Sequence, residues 1–273
     1  MQEPFAAVVI GVGNELLNGR IANTNAQWLC GEIYSLGGNV RRVVTVPDDL
    51  DEIEGAVRES LAGSATWIVT TGGLGPTYDD MTLAGVAAAL GTRLAEDGRA
   101  KEMIQRKLEE YLAVRRADSL EYTPERAKMA TIPEGSIPLS NSVGTAPGVL
   151  AEVNGKFVAC LPGVPSEMKA IFQEHLAPRM AAGRLETVTV ETEVKGLPEA
   201  SLAPILASLA KEYPDVYVKS HPRGFEGVSR VLVQLTGRGK AGLGDVESAR
   251  RKLAAALDGL KADYGMTTKH DTQ

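Results

Sequence analysis

The fold class is indicated most clearly by Ala65-Thr-Trp-Ile-Val-Thr-Thr-Gly-Gly-Leu-Gly-Pro-Thr-Tyr-Asp-Asp-Met-Thr82. Its first part, Thr66–Thr71, is rich in β-branched and aromatic residues, which predicts a buried strand. A glycine-rich loop follows directly, and apolar residues at helical spacing from Leu83 to Leu90 then predict a helix. A buried strand that leads through such a loop into a helix is typical of a parallel sheet covered by helices.

The chain upstream repeats this alternation. Phe5–Ile10 is a continuous apolar run, and Val40–Val46 is a second predicted strand. Apolar residues at helical spacing follow each strand, over residues 26–33 and 53–61. The order βαβαβα predicts an α/β fold, namely a three-layer αβα arrangement with a mostly parallel sheet.

Downstream of this alternation the pattern changes. Residues 149–153 and 157–161 flank Asn154-Gly155, a strong signal for a hairpin turn. A helix is predicted after Pro165, which suits a first helical turn. We therefore expect the first domain to span residues 1–180.

The rest of the chain has its own pattern. Residues 181–184 resemble a linker, and residues 185–262 predict a βαββα unit, a second small α+β domain. Residues 263–273 are mostly polar, and we expect them to form a frayed tail.

Composition excludes several classes of protein. The 273 residues include 29 Lys and Arg against 35 Asp and Glu, a formal net charge of −6, which argues against a nucleic-acid footprint. Without a membrane-length apolar run or a signal-peptide pattern, we expect a cytoplasmic protein. We expect Cys30 and Cys160 to be free thiols. The three histidines are scattered, so a bound metal needs carboxylate oxygens.

The glycine-rich loop after residue 71 is the first candidate site. Its glycines let the backbone approach an anion, and the following helix start favours negative charge, which together suit a phosphate. Asp79 and Asp80 either cap this helix or hold a hard divalent cation beside the phosphate. Adjacent carboxylates would repel a phosphate without such a cation.

Three further loops follow predicted strands. Gly11–Gly19 resembles a dinucleotide fingerprint, but Leu16 replaces a required glycine, so a standard Rossmann site is excluded. Residues 140–148 and 161–168 offer polar groups for a sugar or a second phosphate. Without such a role, residues 140–148 are an irregular turn and residues 161–168 are a simple helix start.

Charged residues near these loops carry two interpretations each. Asp48 and Asp49 follow the second strand. Asp49 is either only a helix cap or, like Asp48, a candidate metal ligand or general base. Arg126 and Lys128 lie on a solvated helix face or reach the phosphates. Gly239–Gly242 matches the GXXG of RNA-binding KH domains, but it follows a strand, which favours a simple strand-to-helix turn.

Several of these segments, in order, resemble the CinA family (competence/damage-inducible protein A). They are Gly13–Gly19 with Asn23–Asn25, Thr71–Asp80, Asn141 with Gly144–Gly148, and Leu161–Met168. The similarity covers residues 5–172 and the MoaB/MogA-like, molybdopterin-binding-like domain of that family. Residues 187–260 look like its smaller KH-like domain. We expect the family's C-terminal deamidase domain to have no counterpart in this sequence.

The resemblance implies hydrolysis of ADP-ribose to AMP and ribose 5-phosphate. It implies a divalent cation (Mg, Mn or Co), possible help from potassium, and a homodimer, with a nucleotide diphosphate-sugar as the small-molecule partner. Molybdopterin binding, adenylyl transfer and non-catalytic nucleotide binding are the alternatives.

The predicted site residues combine the loops with the family motifs. Those with catalytic or metal-binding roles are carboxylates: Asp49, Asp79 and Asp80 as catalytic residues, and Asp48, Asp79 and Asp80 as metal ligands. Those predicted to bind substrate are Gly13, Glu15, Asn25, Gly72, Gly73, Gly75, Pro76, Thr77, Lys128, Asn141, Gly144, Thr145, Pro162, Gly163, Pro165 and Ser166.

Overall fold

The computed structural model describes residues 5–114, 121–181, 187–223 and 229–271. The chain divides into two compact units, residues 1–184 and residues 185–273. Of the expected linker over residues 181–184, residues 182–184 lie outside the described residues. Among the described residues, no helix is both long and apolar enough to cross a membrane.

The first unit is an α/β structure. Its strands are β1 (Ala6–Val12), β2 (Asn39–Val46), β3 (Trp67–Thr71), β4 (Leu94–Glu96), β5 (Thr131–Pro133), β6 (Ile137–Leu139), β7 (Gly148–Val153) and β8 (Lys156–Leu161). Its helices are α1 (Asn14–Leu17), α2 (Thr24–Ser35), α3 (Leu50–Ala62), α4 (Thr82–Leu90), α5 (Gly98–Ala113), α6 (Pro124–Ala130), α7 (Pro165–Ile171) and α8 (Ala177–Met180). A π-helical segment, Phe172–Leu176, connects the last two.

The central sheet has the order β2-β1-β3-β8-β7-β6. Strands β2, β1, β3 and β8 are parallel, whereas β7 and β6 are antiparallel to their neighbours. The hairpin between β7 and β8 turns at Asn154 and Gly155, both with positive φ, as predicted for this dipeptide. The predicted mostly parallel α/β sheet is therefore confirmed.

Alternation along β1 separates two cores. Val8 and Ile10 contribute to the core beneath α3 and α4, whereas Ala7 and Val9 contribute to the core beneath α2 and α7. Successive residues of a strand point to opposite faces, so a strand buried on both sides reads as a continuous apolar run. The sheet is thus the middle of the three predicted layers.

An insertion over residues 94–133 adds a small structure of its own. Strands β4 and β5 pair antiparallel, from Leu94 opposite Pro133 to Glu96 opposite Thr131. Helices α5 and α6 lie between them in the chain, and they share a separate small core. Asp97 caps α5, because its carboxylate accepts hydrogen bonds from the N–H groups of residues 99 and 100.

The second unit is a small α+β structure. Its elements are β9 (Thr187–Lys195), α9 (Glu199–Glu212), β10 (Val216–Pro222), β11 (Arg230–Arg238), α10 (Gly239–Gly259) and β12 (Asp263–Asp271). The antiparallel sheet has the order β10-β11-β9-β12. Gly239–Gly242 opens α10 directly after β11, as expected for a strand-to-helix turn.

The predicted frayed tail over residues 263–273 is wrong. Residues 263–271 form β12, which pairs with β9 from Asp263 opposite Lys195 to Asp271 opposite Thr187. Tyr264 and Met266 pack on the core of the unit. The strand looks polar in sequence because β12 is at the edge of the sheet and turns only every second residue towards the core.

Both cysteines are free thiols, as predicted. Cys160 is fully buried in β8, and burial raises the pKa of its thiol to about 12. Burial also raises the pKa of Cys30, which is half-buried.

Candidate functional site

The carboxyl ends of β1, β2, β3 and β8 lie at one edge of the sheet, because these four strands are parallel. The loops that leave them line one cavity of about 1010 Å³ within the first unit. Open α/β sheets bind ligands at this edge. The lining residues come from seven segments of the chain: Val12, Gly13 and Glu15; Asp48; Gly72–Thr77, Asp79 and Asp80; Leu108 and Tyr111; Thr123, Glu125, Arg126 and Met129; Gly144–Ala146; and Pro162–Val164 with Glu167.

Residues 72–80, which we name the cradle loop, pack against the end of β1. Gly72 has φ of +108°, and a Cβ atom there would lie 2.2 Å from the carbonyl oxygen of Val12. Only glycine fits this position. The hydroxyl of Thr82 donates to the carbonyl oxygen of Gly72, at 2.8 Å. The loop backbone is thereby fixed at the floor of the cavity.

The loop after β8 meets the cradle loop. A Cβ atom on Gly163 would lie 3.4 Å from the Cα atom of Gly72, so the two backbones run side by side. Asn25 ties them, since its Nδ2 atom donates to Thr71 Oγ1 at 3.0 Å and to Gly163 O at 2.8 Å. Asn25 therefore holds the floor from behind and does not line the cavity.

Asp79 and Asp80 share one hydroxyl group. The Oγ1 atom of Thr77 lies 2.5 Å from Asp79 Oδ1 and 2.6 Å from Asp80 Oδ2. A hydroxyl has a single proton, so it donates to one carboxylate at a time. Asp80 Oδ2 also accepts from the Thr77 N–H at 2.8 Å. The hydrogen bond from Thr77 lowers the pKa of Asp79, so this carboxyl is ionised at neutral pH.

The two aspartates after β2 have different positions. Asp48 lines the cavity, and its Oδ2 atom accepts from the N–H of Asn14 at 2.8 Å. Asp49 caps α3, because its Oδ1 atom accepts from the N–H groups of Asp51 and Glu52 at 3.0 and 3.1 Å. Asp49 is outside the lining residues, so its helix-cap interpretation accounts for its position.

Residues 140–147, which we name the asparagine loop, fold around Asn141. The Oδ1 atom of Asn141 accepts from the N–H groups of Val143 and Gly144 at 3.1 and 2.7 Å. Its Nδ2 atom donates to Ala146 O at 2.8 Å and to Glu167 Oε2 at 2.7 Å. Asn141 is buried and shapes the loop, while Gly144 and Thr145 reach the cavity.

Helices on two sides hold the asparagine loop. From α5, Lys107 Nζ donates to Ser142 O at 2.7 Å, and Tyr111 Oη donates to Val143 O at 2.9 Å. From the π-helical segment, Glu174 accepts from the Ser142 hydroxyl at 2.6 Å. His175 Nε2 lies 3.0 Å from both the carbonyl oxygen and the hydroxyl of Ser140, so it donates to the carbonyl when protonated and accepts from the hydroxyl when not.

The insertion supplies a wall that the sequence did not place in the site. Leu108 and Tyr111 of α5 and Met129 of α6 line the cavity, although their spacing in sequence indicates only helical packing. Arg126 lines it as well, whereas Lys128 turns to the cradle loop and donates to the carbonyl oxygen of Thr77. The spacing of apolar residues predicts which face of a helix is buried, but it does not predict which cavity that face lines.

The structure therefore divides the predicted residues into two groups. Those that line the cavity are Gly13, Glu15, Asp48, Gly72, Gly73, Gly75, Pro76, Thr77, Asp79, Asp80, Gly144, Thr145, Pro162 and Gly163. Those outside the lining are Asn25, Asp49, Lys128, Asn141, Pro165 and Ser166. Sequence reasoning treated Glu167 as a helix-start residue, but its carboxylate lines the cavity beside Gly144.

Comparisons with known proteins agree with this architecture. A family model described as "probable molybdopterin binding domain" matches residues 8–182. A protein from Aeropyrum pernix is 45% identical over 263 residues, which cover 96% of this chain and 94% of that protein. Protein PAE0875 from Pyrobaculum aerophilum is 43% identical over 265 residues, 95% of this chain and 96% of that protein.

A solved structure gives the same result. The crystal structure of the protein CinA, of unknown function, from Thermoplasma acidophilum matches with a TM-score of 0.58 and 44% identity. The match covers 65% of this chain and 99% of that chain. The chain belongs to the family of probable molybdopterin-binding domains.

Proposed function

We propose that this chain binds a nucleotide diphosphate-sugar together with a divalent cation and hydrolyses the diphosphate, with ADP-ribose giving AMP and ribose 5-phosphate. The observation that carries the proposal is that the glycines of the cradle loop and its Asp79–Asp80 pair line one cavity together with the Pro162-Gly163 backbone. The balance is simple: water forms a new P–O bond, the P–O–P bridge breaks, and both products leave as phosphate monoesters.

The charge of the cavity supports a cation. Among the described residues that line it are six carboxylates, on Glu15, Asp48, Asp79, Asp80, Glu125 and Glu167, against the single guanidinium of Arg126. A diphosphate brought here without a counter-charge meets repulsion from like charges. A hard divalent cation between the carboxylates and the phosphates removes that repulsion.

The residues fit a cation that the substrate helps to bind. Among the described residues, no three His, Cys, Asp or Glu side chains form a ready metal site, so Asp48, Asp79 and Asp80 are not a preformed cage. Asp79 and Asp80 nonetheless lie within 2.6 Å of one shared hydroxyl. Magnesium is commonly held by one or two carboxylates and by substrate phosphates. These two aspartates would hold it.

Each protein group then has a defined task. A divalent cation held by Asp79 and Asp80 would neutralise phosphate charge and would lower the pKa of the attacking water. The backbone of the cradle loop and the adjacent Pro162-Gly163 backbone hold the two phosphates side by side, at the glycines that let a ligand approach. Asp80 orients the attacking water and accepts its proton. Thr77 keeps the two aspartates together.

The test is a product assay. The protein is incubated with ADP-ribose in potassium or sodium buffer with Mg²⁺, Mn²⁺ or Co²⁺, and the products are separated. We expect AMP and ribose 5-phosphate in equal amounts, with none in the presence of a chelator. Intact ADP-ribose with every metal would contradict the proposal.

A second candidate is binding or adenylylation of molybdopterin, which the family match favours. The same cradle would hold the single phosphate of that ligand. Tight binding of a phosphorylated pterin with no turnover of ADP-ribose would support this candidate over hydrolysis.

A further inference from the structure

The insertion wall differs in chemistry from the rest of the cavity. The lining from the β1, β2 and β3 loops is made mainly of glycines, Thr77 and carboxylates. The wall from α5 and α6 adds Leu108, Tyr111 and Met129, beside the polar Thr123, Glu125 and Arg126 at the start of α6. Ala146 of the asparagine loop packs on the core behind this wall. Leu108 and Met129 are only 4% and 6% exposed, so they support the wall from the small core, whereas Tyr111 is half-buried and within reach of a ligand.

Tyr111 is fixed with its ring at this wall. Its hydroxyl donates to Val143 O at 2.9 Å, which holds the end of the side chain. Lys107 Nζ lies over the ring, 5.5 Å from its centroid, and Tyr111 lines the cavity. A ring held in this way offers a stacking surface at little cost in side-chain entropy.

The cavity is too large for phosphates alone. Its volume of about 1010 Å³ matches the upper range of sites that enclose whole cofactor-sized ligands. A phosphate group gains nothing from an apolar wall, whereas a flat heterocycle gains dispersion and stacking energy there. The two walls therefore suit the two ends of one ligand.

We propose that Leu108, Tyr111 and Met129 form the subsite for a planar heterocycle, of purine or pterin type, on a ligand whose phosphates occupy the cradle loop. This inference rests on the proposed function for the phosphate end only. Adenine and pterin share a flat, nitrogen-rich ring, so the subsite suits either ligand. Tyr111 is a specificity-determining residue, because its ring distinguishes heterocyclic ligands from bare phosphates.

The experiment compares ligands with and without a ring. Affinities for AMP, pterin-6-carboxylate and inorganic pyrophosphate, each with Mg²⁺, are measured by calorimetry for wild type, Tyr111→Leu and Tyr111→Phe. Stacking of a base on an aromatic side chain makes a difference of about tenfold in affinity. We expect Tyr111→Leu to weaken the tighter-binding ring ligand about tenfold and pyrophosphate less than twofold. Whichever ring ligand binds wild type more tightly identifies the class.

The phenylalanine variant separates the ring from the hydroxyl. Tyr111→Phe loses the bond to Val143 but keeps the stacking surface, so its affinity for the ring ligand should stay within about twofold of wild type. If Tyr111→Phe is as weak as Tyr111→Leu, loop placement is the cause and the subsite is wrong. Tyr217→Leu, on exposed β10 of the second unit, is the matched control and should change nothing.

A measurement on wild type covers the case in which Tyr111→Leu fails to fold. Saturation transfer from aromatic protein protons should reach the ring protons of bound AMP more strongly than its ribose protons. Equal transfer to both would overturn the subsite. If Tyr111→Leu binds AMP and pterin-6-carboxylate as tightly as wild type does, this inference is refuted and the hydrolase proposal still stands. Ring-dependent binding without ADP-ribose turnover would do the reverse.

Discussion

The cradle loop and the asparagine loop line the same cavity but are held in different ways. In the cradle loop, the polar side chains of Thr77, Asp79 and Asp80 bond mostly to one another, and one hydroxyl serves two carboxylates. In the asparagine loop, the polar groups bond to α5, α7 and the π-helical segment. The first loop keeps charge available for a ligand, and the second loop uses its polar groups to keep its shape.

The largest expected effect is on the cradle loop. Asp80→Ala should lower kcat for ADP-ribose hydrolysis by about 10²–10³, or about 3–4 kcal/mol of barrier, because it removes a group that acts on the reacting water. Its free energy of unfolding should fall by only about 1 kcal/mol, since the lost bonds to Thr77 lie at the surface. Rates within twofold of wild type would remove Asp80 from the reaction.

The next effect is on the asparagine loop and on stability. A Cβ atom on Gly144 would lie 2.0 Å from the carboxyl carbon of Glu167. Gly144→Ala should therefore displace this flexible carboxylate, break its hydrogen bond from Asn141 and destabilise the fold by about 1–2 kcal/mol. Gly55→Ala in α3 is the matched control, because no atom lies within 4 Å of its added Cβ. That variant should gain about 0.5–1 kcal/mol. Urea unfolding measures the free energy of unfolding of both variants. A change of the same sign in both would contradict this prediction.

A smaller effect tests the brace from α5. The side chain of Lys107 is only 13% exposed, and its ammonium donates to Ser142 O. Lys107→Met keeps the apolar stem and removes that bond, so the free energy of unfolding should fall by about 1 kcal/mol. Amide exchange should rise over residues 140–147 and stay unchanged over residues 72–80. Faster exchange in both loops would show that they are not held independently.

The smallest effect concerns pH and the shared hydroxyl. The bond from Thr77 lowers the pKa of Asp79, so the charged form is complete above the ordinary Asp range and is lost only as pH falls through the lowered value. Thr77→Val removes that bond and should raise the pKa of Asp79. The acidic limb of the pH–rate profile should therefore move to higher pH. If the acidic limb does not move, the protonation state of Asp79 has no effect on the reaction.

How much the sequence predicts differs between these regions. The apolar runs of β1 and β3 predict the parallel sheet, and a parallel sheet brings the loops after its strands to one edge, so most of the cradle is predictable. Glu167 is not, because its place depends on its contact with Gly144, 23 positions away in the chain. The π-helical segment has no sequence signal, yet it turns Glu174 and His175 to the asparagine loop.

In the second unit, the edge strand β12 was also hard to predict from the sequence. The polar sequence of β12 predicts a frayed end, because only Tyr264 and Met266 are large apolar residues that pack on the core. An edge strand has one neighbouring strand, so half of its backbone N–H and C=O groups face solvent. Its outward side chains are polar because they face solvent as well. Local composition alone cannot separate such a strand from a loose end.

The insertion that carries the ring wall also has the architecture of an exchangeable cassette. Its two ends meet in the β4–β5 ribbon, and the N–H of Asp97 closes the base on Ala130 O at 2.9 Å. Its core of Ala100, Ile104, Leu108, Met129 and Ala130 is separate from the cores of the sheet. A different helical pair could thus be spliced between residues 96 and 131 without repacking the sheet. Such an exchange would alter the wall of the cavity, and the new pair would have to replace the bonds that Lys107, Tyr111 and Lys128 make to the two loops.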